Sequence, residues 1–173
     1  MTDTLTTGAT IGILGGGQLG RMLSVAASRL GFKTHIFEPG ANPPAGEVAD
    51  RVTTAKYDDA DALRTFAADV DVITYEFENI PTSALDLLET LRPIHPGREA
   101  LRISQDRLTE KNFLQGLGLN VAPFADIPDE AALTAAMNSI GAPSILKTRR
   151  FGYDGKGQAR IMKTEDAAAA FKD

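Results

Sequence analysis

Apolar and polar positions along the chain fall into two alternating periods. Thr10 to Leu14 (TIGIL) is a short β-branched run that predicts a strand and passes directly into Gly15-Gly16-Gly17-Gln18-Leu19-Gly20. Leu19, Met22, Leu23, Ala26, Ala27 and Leu30 then recur at helical spacing, and Gly31 stands where a C-terminal cap belongs. Lys33 to Phe37 predicts a second strand ending at Glu38-Pro39, so strand, helix and strand together predict a right-handed parallel crossover. Residues 39–47 (PGANPPAGE) carry no periodicity and read as a loop. Beyond them the pattern predicts a strand over Ala49 to Ala55, a helix over Asp58 to Ala68 with Leu63, Phe66 and Ala67 inward, and a strand over Asp71 to Tyr75. A helix over Thr82 to Leu91 and a short closing strand within Arg92 to Gly97 complete this series.

The character of the chain then changes. From Glu99 to Leu117 it is charged and helical, with Gly116 and Gly118 ending the run, so a domain boundary is expected between about Pro96 and Arg107. An α/β domain over 1–100 and a second, α+β domain over 101–173 are the predicted organisation. In the second, Val121 to Ile127 reads as a strand and Asp129 to Ile140 as an alanine-rich helix stopped by Gly141. Ser144 to Thr148 and Gln158 to Lys163 read as antiparallel strands around a glycine-rich loop, and Thr164 as the cap of a last helix through Phe171.

With 173 residues and 43% hydrophobic content, the chain has material for the core of one large or two small domains. The net charge of -5 argues against a general nucleic-acid surface, leaving Lys147, Arg149 and Arg150 as a local basic cluster able to meet an anion. The absence of cysteine excludes disulfides, thiolate catalysis and cysteine-ligated zinc. His35 and His95 are the only histidines and lie far apart, so both read as structural and no metal site is expected. No run is apolar enough to span a bilayer and the N-terminus lacks a basic segment followed by an apolar one; a cytoplasmic protein with no membrane partner is expected.

Two glycine-rich segments carry the candidate chemistry. Gly15, Gly17 and Gly20 fit G-x-G-x-x-G, and Glu38 lies near the distance of a ribose-binding acid in dinucleotide folds. The motif requires only that a backbone approach something closely at a helix N-terminus. A dinucleotide, as in an NAD-dependent oxidoreductase, another phosphate-bearing small molecule, and a plain tight turn all remain open. Glu76 and Glu78 follow the strand ending at Tyr75, where a parallel sheet places its ligands, and alternation would set them on one side; solvating the loop is the competing role. In the second segment, Gly152, Gly155 and Gly157 interleave with Tyr153, Asp154, Lys156 and Gln158, a spacing that lets backbone N–H groups converge on an anion. Lys147 and Lys156 flank it as point charges suited to a triphosphate, and a glycine-rich hairpin turn is the competing reading.

The GGGQLGRM opening, YEFENI, QDRLTEKNFL and above all LKTRRFGYDGKGQ occur in this order over essentially the whole chain. Together they resemble the N-terminal part of the N5-carboxyaminoimidazole ribonucleotide synthase family of ATP-grasp carboxylate-amine ligases. The resemblance implies a Rossmann-like, parallel-sheet pre-ATP-grasp domain that takes the ribonucleotide, followed by the start of an ATP-grasp lid domain, with ATP at their junction. It implies conversion of 5-aminoimidazole ribonucleotide, ATP and bicarbonate through a carboxyphosphate intermediate, in a homodimer of the intact protein. Carried over by position, Arg107 and Lys147 match ATP contacts, and Gly152, Tyr153, Asp154, Gly155, Lys156, Gly157 and Gln158 match the mobile loop over the phosphates. Tyr153, Asp154 and Lys156 also match positions that reach the ribonucleotide, and Gly17, Gln18 and Leu19 with Glu76 and Glu78 match its side of the cleft. Family members are longer, so the magnesium ligands are expected beyond residue 173, and these residues alone are expected to bind nucleotide with little or no turnover.

Overall fold

In the computed structural model, which describes residues 4–152 and 155–171, the chain divides into two units, Met1–Arg102 and Ile103–Asp173. The first is built on four parallel strands: β1 (Thr10–Leu14), β2 (Lys33–Phe37), β3 (Arg51–Thr53) and β4 (Val72–Tyr75), in the order β3-β2-β1-β4. Ile94 adds a single parallel bridge to Ile73 in place of the closing strand expected over Arg92 to Gly97. β3 is shorter than predicted because only three of its residues pair with β2, His35 to Phe37 against Arg51 to Thr53.

Strand pleating sorts the core by alternate residues. Leu14 and Phe37 enter one apolar cluster with Leu63, Phe66 and Ala67 of α2 (Ala60–Ala68) and Ala84, Leu85 and Leu88 of α3 (Thr82–Glu89). Their neighbours Ile13 and Ile36 enter a second cluster with Ala45. The sheet is therefore covered on both faces, as a parallel sheet requires. Asp59 starts α2 by accepting the Ala62 N–H, which satisfies one of the amides that a helix end leaves open.

Helix α1 (Gln18–Arg29) departs from the predicted apolar stripe. It buries Gly20, Ser24 and Ala27, while Leu19, Met22, Leu23 and Leu30 are exposed. The cause is close approach: a Cβ on Gly20 would lie 2.7 Å from the Gly15 carbonyl oxygen and 3.4 Å from the Ala45 side chain. Only small residues fit against the turn, and Ser24 satisfies its hydroxyl by donating to the Gly20 carbonyl at 2.9 Å. Gly31 ends α1 as expected, at φ +81°, with Gly31 N–H donating to Ser28 and Phe32 N–H to Ala27. The segment predicted as a featureless loop contains a turn of 3-10 helix, Pro44–Glu47, tied to α1 through Arg21, which donates to the Pro44 carbonyl and pairs with Glu47.

The charged helical run predicted from Glu99 to Leu117 is two helices, α4 (Arg98–Ser104) and α5 (Arg107–Gly116), broken at Gln105-Asp106 because the Asp106 side chain caps α5. No strand forms over 121–127; these residues find no ladder partner among the described residues and run as loop. α6 (Glu130–Ile140) starts at its cap Asp129 and ends at Gly141, φ +80°. β5 (Ser144–Lys147) and β6 (Gln158–Ile161) pair antiparallel, with Lys147 opposite Gln158. Leu133 and Met137 of α6, Ile161 and Ala167 form the small core of this unit. The predicted last helix is a 3-10 turn, Thr164–Asp166, followed by α7 (Ala167–Ala170); Asp166 rather than Thr164 closes its start, accepting the Lys163 N–H at 3.2 Å.

Candidate functional site

The glycine turn after β1 is held by acids from two other strands. Gly17 is the N-cap residue of α1 and has no side chain with which to cap it. Glu76, just past β4, supplies the acceptor: its Oε1 takes the Gly17 N–H at 3.0 Å. Glu38, just past β2, takes the Gly16 N–H on Oε2 and the Gly40 N–H on Oε1, both at 2.9 Å. Two carboxylates thus complement the partial positive charge of the α1 N-terminus, whose own first turn contains no acid. The predicted ribose-binding acid of a dinucleotide site is therefore folded onto the turn itself.

β4 ends at Tyr75, before both acids; Glu76 reaches the turn and Glu78 is exposed. Gln18 and Leu19 are exposed at the start of α1. Tyr57 belongs to this group although no motif marks it. It stacks on Phe37 at 5.6 Å and lies close enough to Glu38 and Glu76 that burial first, and then those two carboxylates, push its phenol above the ordinary range. Its signal in the sequence is only an aromatic in a polar stretch.

In the second unit, Lys147 closes β5 and is exposed, opposite Gln158 at the start of β6. Thr148 and Gly157, which follow β5 and precede β6, are joined: the Thr148 N–H and hydroxyl both donate to the Gly157 carbonyl, at 2.8 and 3.3 Å. Gly155 and Gly157 have φ of +81° and +64°, and a Cβ on Gly157 would sit 2.4 Å from the Thr148 hydroxyl oxygen. Glycine is thus required at 157 by conformation and by space together. Lys156 is exposed; Tyr153 and Asp154 lie outside the described residues.

Arg107, the first residue of α5, donates from Nη2 to the Gly152 carbonyl at 3.0 Å, which places its guanidinium at the base of the loop. The basic cluster expected to meet an anion is largely committed to protein partners. Arg149 lies 2.9 Å from Asp106 Oδ2 through Nε and Nη2, and Arg150 donates to the buried Gln105 side chain at 3.2 Å and sits over the Phe151 ring. The pairing of Asp106 with Arg149 has no signal in the sequence, although Asp106 before RLTEKNFL has the form of a helix cap. Of the two histidines, His35 is buried and reaches Thr53 at 2.8 Å through Nε2, whereas His95 is exposed. Among the described residues no group of three His, Cys, Asp or Glu could hold a metal ion, and no helix is long and apolar enough to cross a membrane.

Residues 8–105 match the ribonucleotide synthetase preATP-grasp domain and residues 112–173 the ATP-grasp domain. The chain is similar to the N5-carboxyaminoimidazole ribonucleotide synthase of Brucella melitensis biotype 1, with 52% identity over 166 residues, 96% of this chain and 46% of that protein. A solved ADP complex of an N5-carboxyaminoimidazole ribonucleotide synthetase superposes with a TM-score of 0.94 at 42% identity, covering 99% of this chain and 46% of the other. The Aspergillus clavatus N5-carboxyaminoimidazole synthase in complex with ADP and 5-aminoimidazole ribonucleotide superposes with a TM-score of 0.83 at 28% identity, covering 96% and 44%. The chain spans about half the length of the N5-carboxyaminoimidazole ribonucleotide synthases it matches.

Proposed function

Because the chain belongs to the ribonucleotide synthetase preATP-grasp family and runs on into an ATP-grasp domain, we propose that it provides the ribonucleotide-binding unit and the phosphate loop of an N5-carboxyaminoimidazole ribonucleotide synthase. The reaction joins bicarbonate to the amine of 5-aminoimidazole ribonucleotide at the expense of ATP. Bicarbonate is a poor electrophile because its leaving group is hydroxide. Attack of a bicarbonate oxygen on the γ-phosphorus of ATP breaks its bond to the β,γ-bridging oxygen, which leaves with ADP, and yields carboxyphosphate. Carboxyphosphate then delivers its carbon, directly or as carbon dioxide, to the amine; a carbon–nitrogen bond forms, phosphate leaves and the amine loses a proton.

In this reading the protein positions reactants, offsets phosphate charge and keeps water from the labile acyl phosphate. Lys147 and Lys156 contact the transferred phosphoryl group, Arg107 the nucleotide, and Gly152 to Gln158 close over the phosphates, with Tyr153, Asp154 and Lys156 reaching toward the ribonucleotide. Gly17, Gln18, Leu19, Glu76 and Glu78 hold the ribonucleotide. The hairpin carries the reading: a lysine ends β5 opposite Gln158, beside glycines in left-handed conformation, an arrangement that apolar packing does not require. The described acids do not gather in a group that could hold magnesium. Bicarbonate as carbon donor, magnesium with ligands elsewhere, a homodimeric state and a cytoplasmic location complete the proposal on the family pattern.

The competing dinucleotide reading rests on the Gly15 to Gly20 motif, whose acid Glu38 is bound to the turn. Isothermal titration with 5-aminoimidazole ribonucleotide and, separately, NADH separates the two. Saturable ribonucleotide binding without NADH binding is expected; NADH binding alone would return the turn to the oxidoreductases.

A further inference from the structure

Residues 105–107 and 149–152 lie more than forty positions apart yet are joined rung by rung. Gln105 Oε1 accepts from Arg150 Nη2 at 3.2 Å, Asp106 Oδ2 meets Arg149 Nε at 2.9 Å, and the Arg107 N–H donates to the Arg149 carbonyl at 3.0 Å. A fourth bond, Arg107 Nη2 to the Gly152 carbonyl at 3.0 Å, closes the series at the base of the loop. Residues 148–152 form no helix or strand, so these bonds, with those of Thr148 to Gly157, help to fix the segment.

Asp106 is the centre of the arrangement. Its Oδ1 accepts the N–H groups of Leu108 and Thr109, at 3.0 and 2.9 Å, and so caps α5. Its Oδ2 takes both Nε and Nη2 of Arg149 at 2.9 Å, while Arg149 Nη1 lies 3.6 Å from Asp126. The Asp106 side chain is 17% exposed and that of Arg149 is 52% exposed, so the pair is partly screened by solvent and its value lies in its two-point geometry rather than in its charge energy. One carboxylate therefore fixes both the helix end from which Arg107 projects and the backbone that receives the Arg107 N–H.

We propose that Asp106 and Arg149 are positioning residues that act through Arg107, holding its guanidinium at the base of the glycine-rich loop so that the nucleotide meets it preorganised. The proposal rests on the reading of Arg107 as a nucleotide contact, and it goes beyond that reading by assigning the orientation of Arg107 to a pair that does not itself meet the nucleotide. Preorganisation of this kind strengthens ligand binding by removing an ordering cost from the binding step.

The test compares Asp106→Asn, Arg149→Lys and the double variant. Asparagine keeps a cap acceptor, so α5 is retained while the charge pair is lost. Amide hydrogen exchange of Arg107 and Thr109 is read by NMR, with the melting temperature and the affinity for ADP measured in parallel. Each single variant is expected to accelerate Arg107 exchange by roughly tenfold while Thr109 exchange in Asp106→Asn changes by less than about threefold. ADP affinity is expected to fall by roughly tenfold at a near-constant melting temperature, with no further loss in the double variant. Unchanged Arg107 exchange, or additive losses of affinity, would overturn the proposal. A wild-type chain that binds no ADP would overturn the nucleotide reading of Arg107, while the exchange data still decide whether the pair holds it.

Discussion

Glu76 accepts the Gly17 N–H at 3.0 Å, so the first helix of the sheet is capped by an acid that arrives 59 positions later in the chain. This bond ties the carboxyl end of β4 to the turn after β1, the two places from which the ribonucleotide would be held. It also separates two roles of one side chain, hydrogen-bond acceptor and charge.

Glu76→Ala leaves the Gly17 amide without its acceptor and is expected to cost about 1 kcal/mol of stability. Glu76→Gln keeps an acceptor oxygen and is expected to stay within about 0.5 kcal/mol of the parent. Both variants should weaken ribonucleotide binding by roughly tenfold or more, because neither an alanine methyl nor a neutral amide replaces the charged carboxylate as acceptor for an amine. Chemical denaturation and titration calorimetry read the two effects separately.

Gly20→Ala is expected to destabilise the first unit by about 1–3 kcal/mol, although alanine is the better helix former. Its Cβ would stand 2.7 Å from the Gly15 carbonyl oxygen, a backbone atom that cannot swing aside. Thermal and chemical denaturation check this, and a variant as stable as the parent would show that α1 does not lie against the turn.

Gly155→Ala and Gly157→Ala should differ. Both place a Cβ at positive φ, at a cost of roughly 1–2 kcal/mol, but only Gly157 adds a clash, 2.4 Å from the Thr148 hydroxyl. Gly157→Ala is expected to be the more destabilising by about 1 kcal/mol and to weaken ADP binding more. Equal losses would mean that Thr148 does not shape the loop.

His35 gives the first unit a pH dependence. Burial lowers its pKa from the usual 6.5, with Asp69 opposing the shift and Arg51 reinforcing it. A depressed histidine is neutral in the folded chain and takes up a proton on unfolding, so stability is full above about pH 6.5 and falls as pH drops toward the native value. The slope cannot exceed about 1.4 kcal/mol per pH unit for one proton. Melting temperatures across this window should fall with acidity, and His35→Gln should abolish the slope.

The strand–turn–helix opening and the inward side of α2 were legible because periodicity reports directly which side chains meet a core. Leu63, Phe66 and Ala67 are buried as their spacing predicts. The same logic misleads at α1, where the contact is made by the backbone and favours Gly20, Ser24 and Ala27 over the larger apolar residues. It misleads again at 121–127, whose apolar residues find no partner strand among the described residues. The left-handed glycines at 155 and 157 and the place of Lys147 at the end of β5 were readable from local chemistry. The long-range bonds were not, Glu76 on Gly17 in the first unit and Asp106 on Arg149 in the second, because each joins segments more than forty residues apart and a single sequence does not reveal such a pairing.

The ribonucleotide assignment is tested most directly by an amide-shift titration of the isotopically labelled chain with 5-aminoimidazole ribonucleotide. Saturable shifts at Gly17, Gln18, Leu19 and Glu76 are expected, with no response to NADH. Shifts at Gly15 to Gly17 with NADH, and none with the ribonucleotide, would contradict it.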